Sequence, residues 1–107
     1  MKAKKGQFKA AGIYHQILVK ILPQKKMNKY LEDEGTLACY EHADAIIHVT
    51  RELSPEVKRH AFYHEIAHHI IDTLSDVRSV ETKCDLLGAY IMKLLDENEK
   101  VKEELSK

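Results

Sequence analysis

Hydrophobic residues recur along this chain with two different periods, which separate a sheet-forming first half from a helical second half. Between residues 15 and 22 the apolar positions alternate, which predicts a strand that ends at Pro23. Two shorter runs, 36–41 and 45–50, predict strands joined as a tight hairpin through residues 42–44. The segment 24–33 is predicted to be a brief helix or a loop. These segments together predict a small sheet.

The period becomes helical after Ser54. The Ser54 hydroxyl can accept a hydrogen bond from a backbone N–H of the first helical turn. Pro55 has no backbone N–H, but at the first helical position that N–H would have no partner within the helix. The carboxylate of Glu56 lies near the positive end of the helix dipole, where a negative charge is favourable. A helix is therefore predicted over 55–73, with an apolar half formed by Phe62, Tyr63, Ile66, Ala67, Ile70, Ile71 and Leu74. A second helix is predicted from Ser79, with a stripe formed by Val80, Cys84, Leu87, Ile91, Leu94 and Leu95.

The composition fits one globular domain over residues 1–107, with 44% hydrophobic residues and equal numbers, 17 each, of basic and acidic residues. The balance is uneven along the chain, because residues 1–31 carry eight lysines and no acid. We expect residues 1–12 to form a flexible basic arm and residues 97–107 to form a charged, fraying tail. Zero net charge argues against a nucleic-acid partner, and no apolar run is long enough to span a membrane.

The two cysteines, Cys39 and Cys84, have no spacing typical of metal ligands and are expected to be small core residues. No secretory signal is visible at the start of the sequence. The prediction is a cytoplasmic protein with reduced thiols.

The residues that indicate chemistry are His64, Glu65 and His68, in the order HExxH. On a helix, residues four apart lie one turn above each other, so both imidazoles can reach one zinc ion. Glu65 lies beside this face, where it can take a proton from a metal-activated water. The alternative is that these are accidental residues on a solvated helix face.

A catalytic zinc site needs a third protein ligand, and the second helix offers Glu81 with Asp85 one turn later. Asp85 could orient a ligating imidazole from behind. Asp72 is the second choice as third ligand, because one straight helix aims three ligands poorly at one ion. His60 is expected at the rim of the site or behind its ligands, and His69 is expected to be solvated.

Over residues 35–95 the chain resembles the gluzincin metallopeptidases, in particular the very small minigluzincins and the related ImmA/IrrE-like peptidases. The resemblance implies that His64, His68 and Glu81 bind one zinc ion. It also implies that Glu65 acts as general base and acid. The expected fold class is α+β, with a small mixed or antiparallel sheet packed on the active-site helix and on a following helix that carries the glutamate.

The implied function is a zinc-dependent endopeptidase that acts on peptides or unfolded proteins. If the strand over 45–50 edges the cleft as in this family, it holds an extended substrate as an added strand. The substrate-binding residues are then Ala45, Ile46, Ile47 and His48. Candidates to stabilise the oxyanion are Tyr40, His42, His48 and Tyr63.

The activity of so small a cytoplasmic peptidase must be limited to protect other proteins. Either terminus is long enough to block the cleft of its own or a neighbouring molecule. We therefore expect a latent, zymogen-like form and a possible homodimer through the terminal segments. One alternative function is a non-catalytic, zinc-stabilised binding or regulatory module that uses the lysine-rich N-terminal third. Another is a small interaction domain in which the HExxH pattern is accidental.

Overall fold

A four-stranded sheet and three helices make up the computed structural model, which describes residues 6–31 and 37–107. The fold class is α+β, as predicted. The elements in chain order are β1 (Gln7–Ala11), β2 (Gln16–Leu22), α1 (Gln24–Leu31), β3 (Ala38–Glu41), β4 (Ile46–Thr50), α2 (Pro55–Leu74) and α3 (Val80–Leu105).

The sheet is mixed, with strand order β1-β2-β4-β3. The pairs β1–β2 and β3–β4 are antiparallel, and β2 and β4 run parallel. The hairpin of β3 and β4 is confirmed, and its turn includes Ala45 at φ 53°. However, β4 has a neighbour on each side, so the prediction that it forms an edge is wrong. An added substrate strand cannot pair with Ala45, Ile46, Ile47 and His48, because the backbone of this segment already pairs with β2 and β3.

One face of the sheet forms the hydrophobic core with α2 and α3. The alternating residues of β2, Ile17, Val19 and Ile21, are all buried, as their period predicted. They pack in one cluster with side chains of both helices, among them Phe62, Ile66, Tyr90, Val101 and Leu105. α1 contacts β4, and its Met27 is fully buried outside that cluster.

The two long helices begin where the sequence predicted. The Ser54 hydroxyl accepts the Val57 N–H at 3.3 Å, and the Ser79 hydroxyl accepts the Thr82 N–H at 3.2 Å. The turn between β1 and β2 requires Gly12, because a Cβ at this position would collide with the carbonyl oxygen of His15.

The expected N-terminal arm is wrong over residues 7–11, which form β1 at one edge of the sheet. α3 holds this strand through side chains. The Ala11 N–H donates to Glu97 Oε1 at 2.6 Å, and the Tyr90 hydroxyl donates to the Ala11 carbonyl at 2.8 Å. Phe8 and Ala10 are buried, so the strand belongs to the core. Residues 1–5 of the expected arm lie outside the described residues.

The expected fraying tail is also wrong, because α3 continues to Leu105. Val101 and Leu105 are 2% and 1% exposed and belong to the core cluster. Val101 and Leu105 are four residues apart, so they lie on the same face of the helix, and the charged residues between them occupy the other faces. Because only two apolar residues occur in this short, highly charged segment, the sequence pattern did not predict a buried face.

The helix faces differ in part from those predicted. Ala67 and Ile71 on α2 are exposed, as are Val80, Cys84, Ile91 and Leu95 on α3. The buried face of α3 centres on Tyr90 instead, with Leu86, Leu87 and Leu94 partly buried around it.

Candidate functional site

The two motif histidines lie on consecutive turns of α2, on a surface that solvent reaches. The ring centroids of His64 and His68 are 5.0 Å apart, and the rings are nearly perpendicular. Both residues are exposed, and the side chain of His64 is 64% exposed. Two adjacent imidazoles are therefore available to one small ligand.

Glu65 differs sharply from these histidines, because its side chain is only 9% exposed. Its Oε2 lies 4.0 Å from Nε2 of His64. Burial raises the pKa of the Glu65 carboxyl, and the nearby His64 and His68 partly oppose this shift. The motif thus combines two accessible nitrogen donors with a carboxyl that is partly withdrawn from water.

The opposite wall of the site is strand β3. Ala38, Cys39 and Tyr40 line, with the three motif residues and Asp72, a cleft of about 360 Å³, here called the motif cleft. In the part of the chain that the structure describes, β3 pairs only with β4, so its outer edge is free of strand partners. The strand beside the motif is therefore β3 and not β4.

A second, more apolar depression adjoins the motif cleft and is here called the apolar pocket. It has a volume of about 230 Å³ and shares Ala38, His64 and Glu65 with the cleft. Its other lining residues are Leu37, Val57, His60 and Ala61. Of the two positions expected for His60, at the rim of the site or behind its ligands, this lining favours the rim.

His69, expected to be solvated, is 6% exposed and forms hydrogen bonds to two other elements. Its Nε2 accepts the Ile13 N–H at 3.0 Å, so the ring proton is on Nδ1. Nδ1 lies 2.9 Å from the Tyr40 hydroxyl, which in turn lies 3.2 Å from Nδ1 of His42. Burial lowers the pKa of His69, which favours the neutral ring that these contacts require. The helical wheel could have revealed that His69 is buried, because His69 lies seven residues, or about two turns, after Phe62 and therefore on the same apolar face.

The structure does not bring Glu81 or Asp85 to the motif cleft. Both residues are exposed on α3. Glu81 precedes the buried Tyr90 by nine residues, which places it about 180° away around the helix, facing solvent. Asp72 does line the cleft. Within residues 6–31 and 37–107, no group of three or more His, Cys, Asp or Glu side chains is gathered as a metal-binding set.

Of the four candidates for oxyanion contact, only Tyr40 lines the motif cleft. His42 contacts its hydroxyl from the hairpin turn. His48 is 4% exposed on the interior strand β4, where its Nε2 lies 3.3 Å from Glu41. The Tyr63 hydroxyl donates to Asn98 on α3 at 3.1 Å.

Comparisons of the chain with protein-family models, with curated proteins and with solved structures find no match. None of the described helices combines the length and the hydropathy needed to cross a bilayer.

Proposed function

We propose that this chain is a zinc-dependent peptidase whose active site is the motif cleft. The observation that carries the proposal is the arrangement on α2. Two accessible imidazoles stand one turn apart beside a largely buried carboxyl, and all three residues face a cleft walled by an outer strand. An accidental HExxH pattern does not require this combination of exposure and burial.

The donor set fits zinc in part. Imidazole nitrogens are preferred zinc ligands, and His64 and His68 would supply two of them. A carboxylate would supply the third. Asp72 lines the same cleft. Glu81, which the family resemblance favours, is exposed on α3 and does not line the cleft, so α3 would have to rotate for Glu81 to reach the metal. Zinc bound here would polarise a water molecule and a substrate carbonyl.

Glu65 is the residue we assign to proton transfer. Because burial raises its pKa, the carboxyl can both accept a proton and hold it long enough to return it to the leaving amine. It lines the motif cleft together with the two histidines, to one side of them on α2. Cys39 lies on the facing strand, and the negative charge of Glu65 contributes to the raised pKa of its thiol, which supports a close approach of the two groups.

The outer edge of β3, with which no other described strand pairs, supports an extended peptide as substrate. A peptide segment can add to an outer strand through backbone hydrogen bonds, which give affinity with little sequence preference. The apolar pocket next to His64 and Glu65 would then receive one substrate side chain, and its lining by Leu37, Val57 and Ala61 favours an aliphatic or aromatic one. The proposed substrates are peptides or unfolded proteins with apolar residues beside the cleaved bond.

The fold limits which terminal segment could block the motif cleft and so restrain this activity. Residues 97–105 are packed in α3, so they cannot cover the cleft without disrupting the core. The remaining terminal candidate, residues 1–5, lies outside the described residues. The free thiols of Cys39 and Cys84 agree with a reducing compartment, which supports a cytoplasmic location as part of the proposal.

The test is cleavage of quenched fluorescent peptides by protein prepared without a histidine tag and loaded with one equivalent of zinc. The wild-type chain should cleave peptides with apolar residues, and Glu65→Gln should abolish cleavage. Glu103→Gln, at an exposed position of α3, is the matched control and should keep full activity. Cleavage that survives in Glu65→Gln would refute the role of Glu65.

A further inference from the structure

A third depression, lined by Tyr14, Tyr40, His42, Asp72 and Asp76 among others, is here called the acidic pocket. Its volume is about 290 Å³. It shares Tyr40 and Asp72 with the motif cleft but shares no lining residue with the apolar pocket. The motif cleft therefore adjoins two different pockets, one apolar and one acidic.

The three depressions lie in one row between β3 and α2. Along α2, the apolar pocket begins at Val57, the motif cleft occupies the turns that follow, and the acidic pocket reaches Thr73 near the helix end. Along β3, Ala38 borders the apolar pocket and Tyr40 borders the acidic pocket. The helix rises about 24 Å from Val57 to Thr73, which an extended peptide of about seven residues spans. A peptide that follows β3 thus passes all three depressions.

The acidic pocket favours a positive charge for two separate reasons. Asp72 and Asp76 are exposed, and within residues 6–31 and 37–107 no basic group lies within 4.0 Å of either carboxylate. None of the described lining residues is a lysine or an arginine. The pocket also borders the C-terminal end of α2, whose last turn has no basic residue. This end of a helix carries a partial negative charge, which favours a cation beside it.

Two tyrosines add aromatic surface to the same pocket. Tyr14 is 59% exposed, so a ligand can reach its ring. Tyr40 is held in place by its hydroxyl, which contacts His42 and His69. Aromatic rings attract a guanidinium or ammonium group and pack against the carbon chain that carries it. Carboxylates and rings together therefore suit a long basic side chain better than a small inorganic cation.

We propose that the acidic pocket binds an arginine or lysine side chain of the peptide substrate, and that Asp76 determines this preference. The inference rests on the proposed peptidase function, because the motif cleft holds the bond to be cleaved. Asp72 lines both the pocket and the cleft and is the candidate zinc ligand, so Asp76 is the carboxylate that remains for the side chain. The substrate's basic and apolar side chains then lie on opposite sides of the cleaved bond.

Peptide binding tests the preference without cleavage. Full-length Glu65→Gln, incubated with zinc, is titrated with fluorescent seven-residue peptides that carry leucine near one end and arginine, glutamine or glutamate near the other. Each peptide is made in both orders. The assay is run at pH 8, where carboxylates are ionised and the neutral ring is the ordinary form of an imidazole. In one order, the arginine peptide should bind at least about fivefold more tightly than the glutamine peptide, and the glutamate peptide should bind most weakly.

Substitution of Asp76 tests which residue determines the preference. Asp76→Asn, added to Glu65→Gln, should reduce the preference for arginine to less than about twofold, and Asp76→Lys should make the glutamate peptide the tightest. Asp96→Asn is the matched control, because Asp96 is exposed on α3 and does not line the pocket. It should leave the preference unchanged. The circular dichroism spectra of these variants should match that of Glu65→Gln, since Asp76 and Asp96 are exposed.

Cleavage of the same peptides by the zinc-loaded wild-type chain separates this proposal from the peptidase function. The arginine peptide should have a kcat/KM at least about fivefold above that of the glutamine peptide. Equal cleavage and equal binding of the two peptides would overturn the acidic pocket as a binding site and leave the peptidase function standing. Tighter binding of the arginine peptide without any cleavage would overturn the peptidase function alone. A preference that persists in Asp76→Asn would overturn the role of Asp76.

Discussion

The Tyr40 hydroxyl lies 2.9 Å from Nδ1 of His69, so the strand that walls the motif cleft is tied directly to the helix that carries the motif. The same imidazole accepts the Ile13 N–H through its other nitrogen. His69 thereby joins three elements: the turn after β1, the outer strand β3 and α2. This contact therefore links the two walls of the motif cleft, β3 and α2.

Tyr40→Phe should lower the free energy of unfolding by about 1–2 kcal/mol, because it removes the hydroxyl that pairs with the buried Nδ1–H of His69. Thr73 Oγ1, 3.3 Å from the same nitrogen, limits the loss. Tyr14→Phe, at an exposed position, should change the stability by less than about 0.5 kcal/mol. Urea denaturation measures both variants, and equal effects would show that the contact does not hold the cleft wall.

Two leucines of α3 differ in burial, because Leu105 lies in the core and Leu95 lies on the surface. Leu105→Ala should cost about 2–5 kcal/mol, since Leu105 is 1% exposed and its loss leaves a cavity between α3 and the sheet. Leu95→Ala should cost less than about 0.5 kcal/mol, because Leu95 is 71% exposed. Denaturation of both variants in dilute solution tests whether residues near the end of the chain belong to the core. A small effect of Leu105→Ala would restore the interpretation of this segment as a tail.

Cys39 should react slowly with iodoacetamide at pH 8. Burial and the negative charge of Glu65 raise the pKa of its thiol above the ordinary 9.0, so less of the reactive thiolate is present. Its alkylation rate should therefore keep rising as the pH passes 9.0. Glu65→Gln removes the negative charge, which lowers the pKa again and should speed the reaction at pH 8.

Mass spectrometry of metal-free protein follows this reaction, and the exposed Cys84 serves as the internal control. The rate at Cys84 should be the same in the wild type and in Glu65→Gln. An unchanged Cys39 rate in the variant would mean that the ionised Glu65 does not act on this part of the cleft.

The identity of the third zinc ligand can be decided by exchanging each candidate carboxylate for its amide. If Asp72 completes the site, as its place in the motif cleft indicates, Asp72→Asn should weaken zinc binding at least about tenfold. Glu81→Gln should then bind zinc like the wild type. Competition with a zinc chelator measures both affinities. The reverse order would show that α3 reorients to bring Glu81 to the metal, as the family resemblance implies.

The sequence predicted the elements with strong local signals. The alternation in β2, the Ser54 cap of α2 and the start of α3 depend on nearby residues only, and the structure places them as expected. The order of strands was not predictable in this way. The order depends on the parallel pairing of β2 with β4, which lie far apart in the chain. Because of this pairing, β3 and not β4 is the outer strand of the sheet beside the motif.

The candidate site shows the same division. The spacing of His64, Glu65 and His68 placed all three on neighbouring turns, because a helix fixes that relation locally. The third ligand depends on how α3 rotates about its axis when it packs. Apolar residues lie on two faces of α3, and either face could pack against the core. The face centred on Tyr90 is the buried one, and Glu81 therefore faces solvent. The role of His69 required knowledge of both Tyr40 and Ile13.

If the motif cleft binds zinc for peptide hydrolysis, zinc content and peptide cleavage measured in the same samples must change together when the histidines are replaced. The wild type and Glu65→Gln should each bind one zinc ion per chain, with cleavage only in the wild type. The double variant His64→Ala, His68→Ala should lose both zinc and cleavage. A wild-type chain that binds no zinc, or a double histidine variant that still cleaves the peptide, would rule out a zinc peptidase site in the motif cleft.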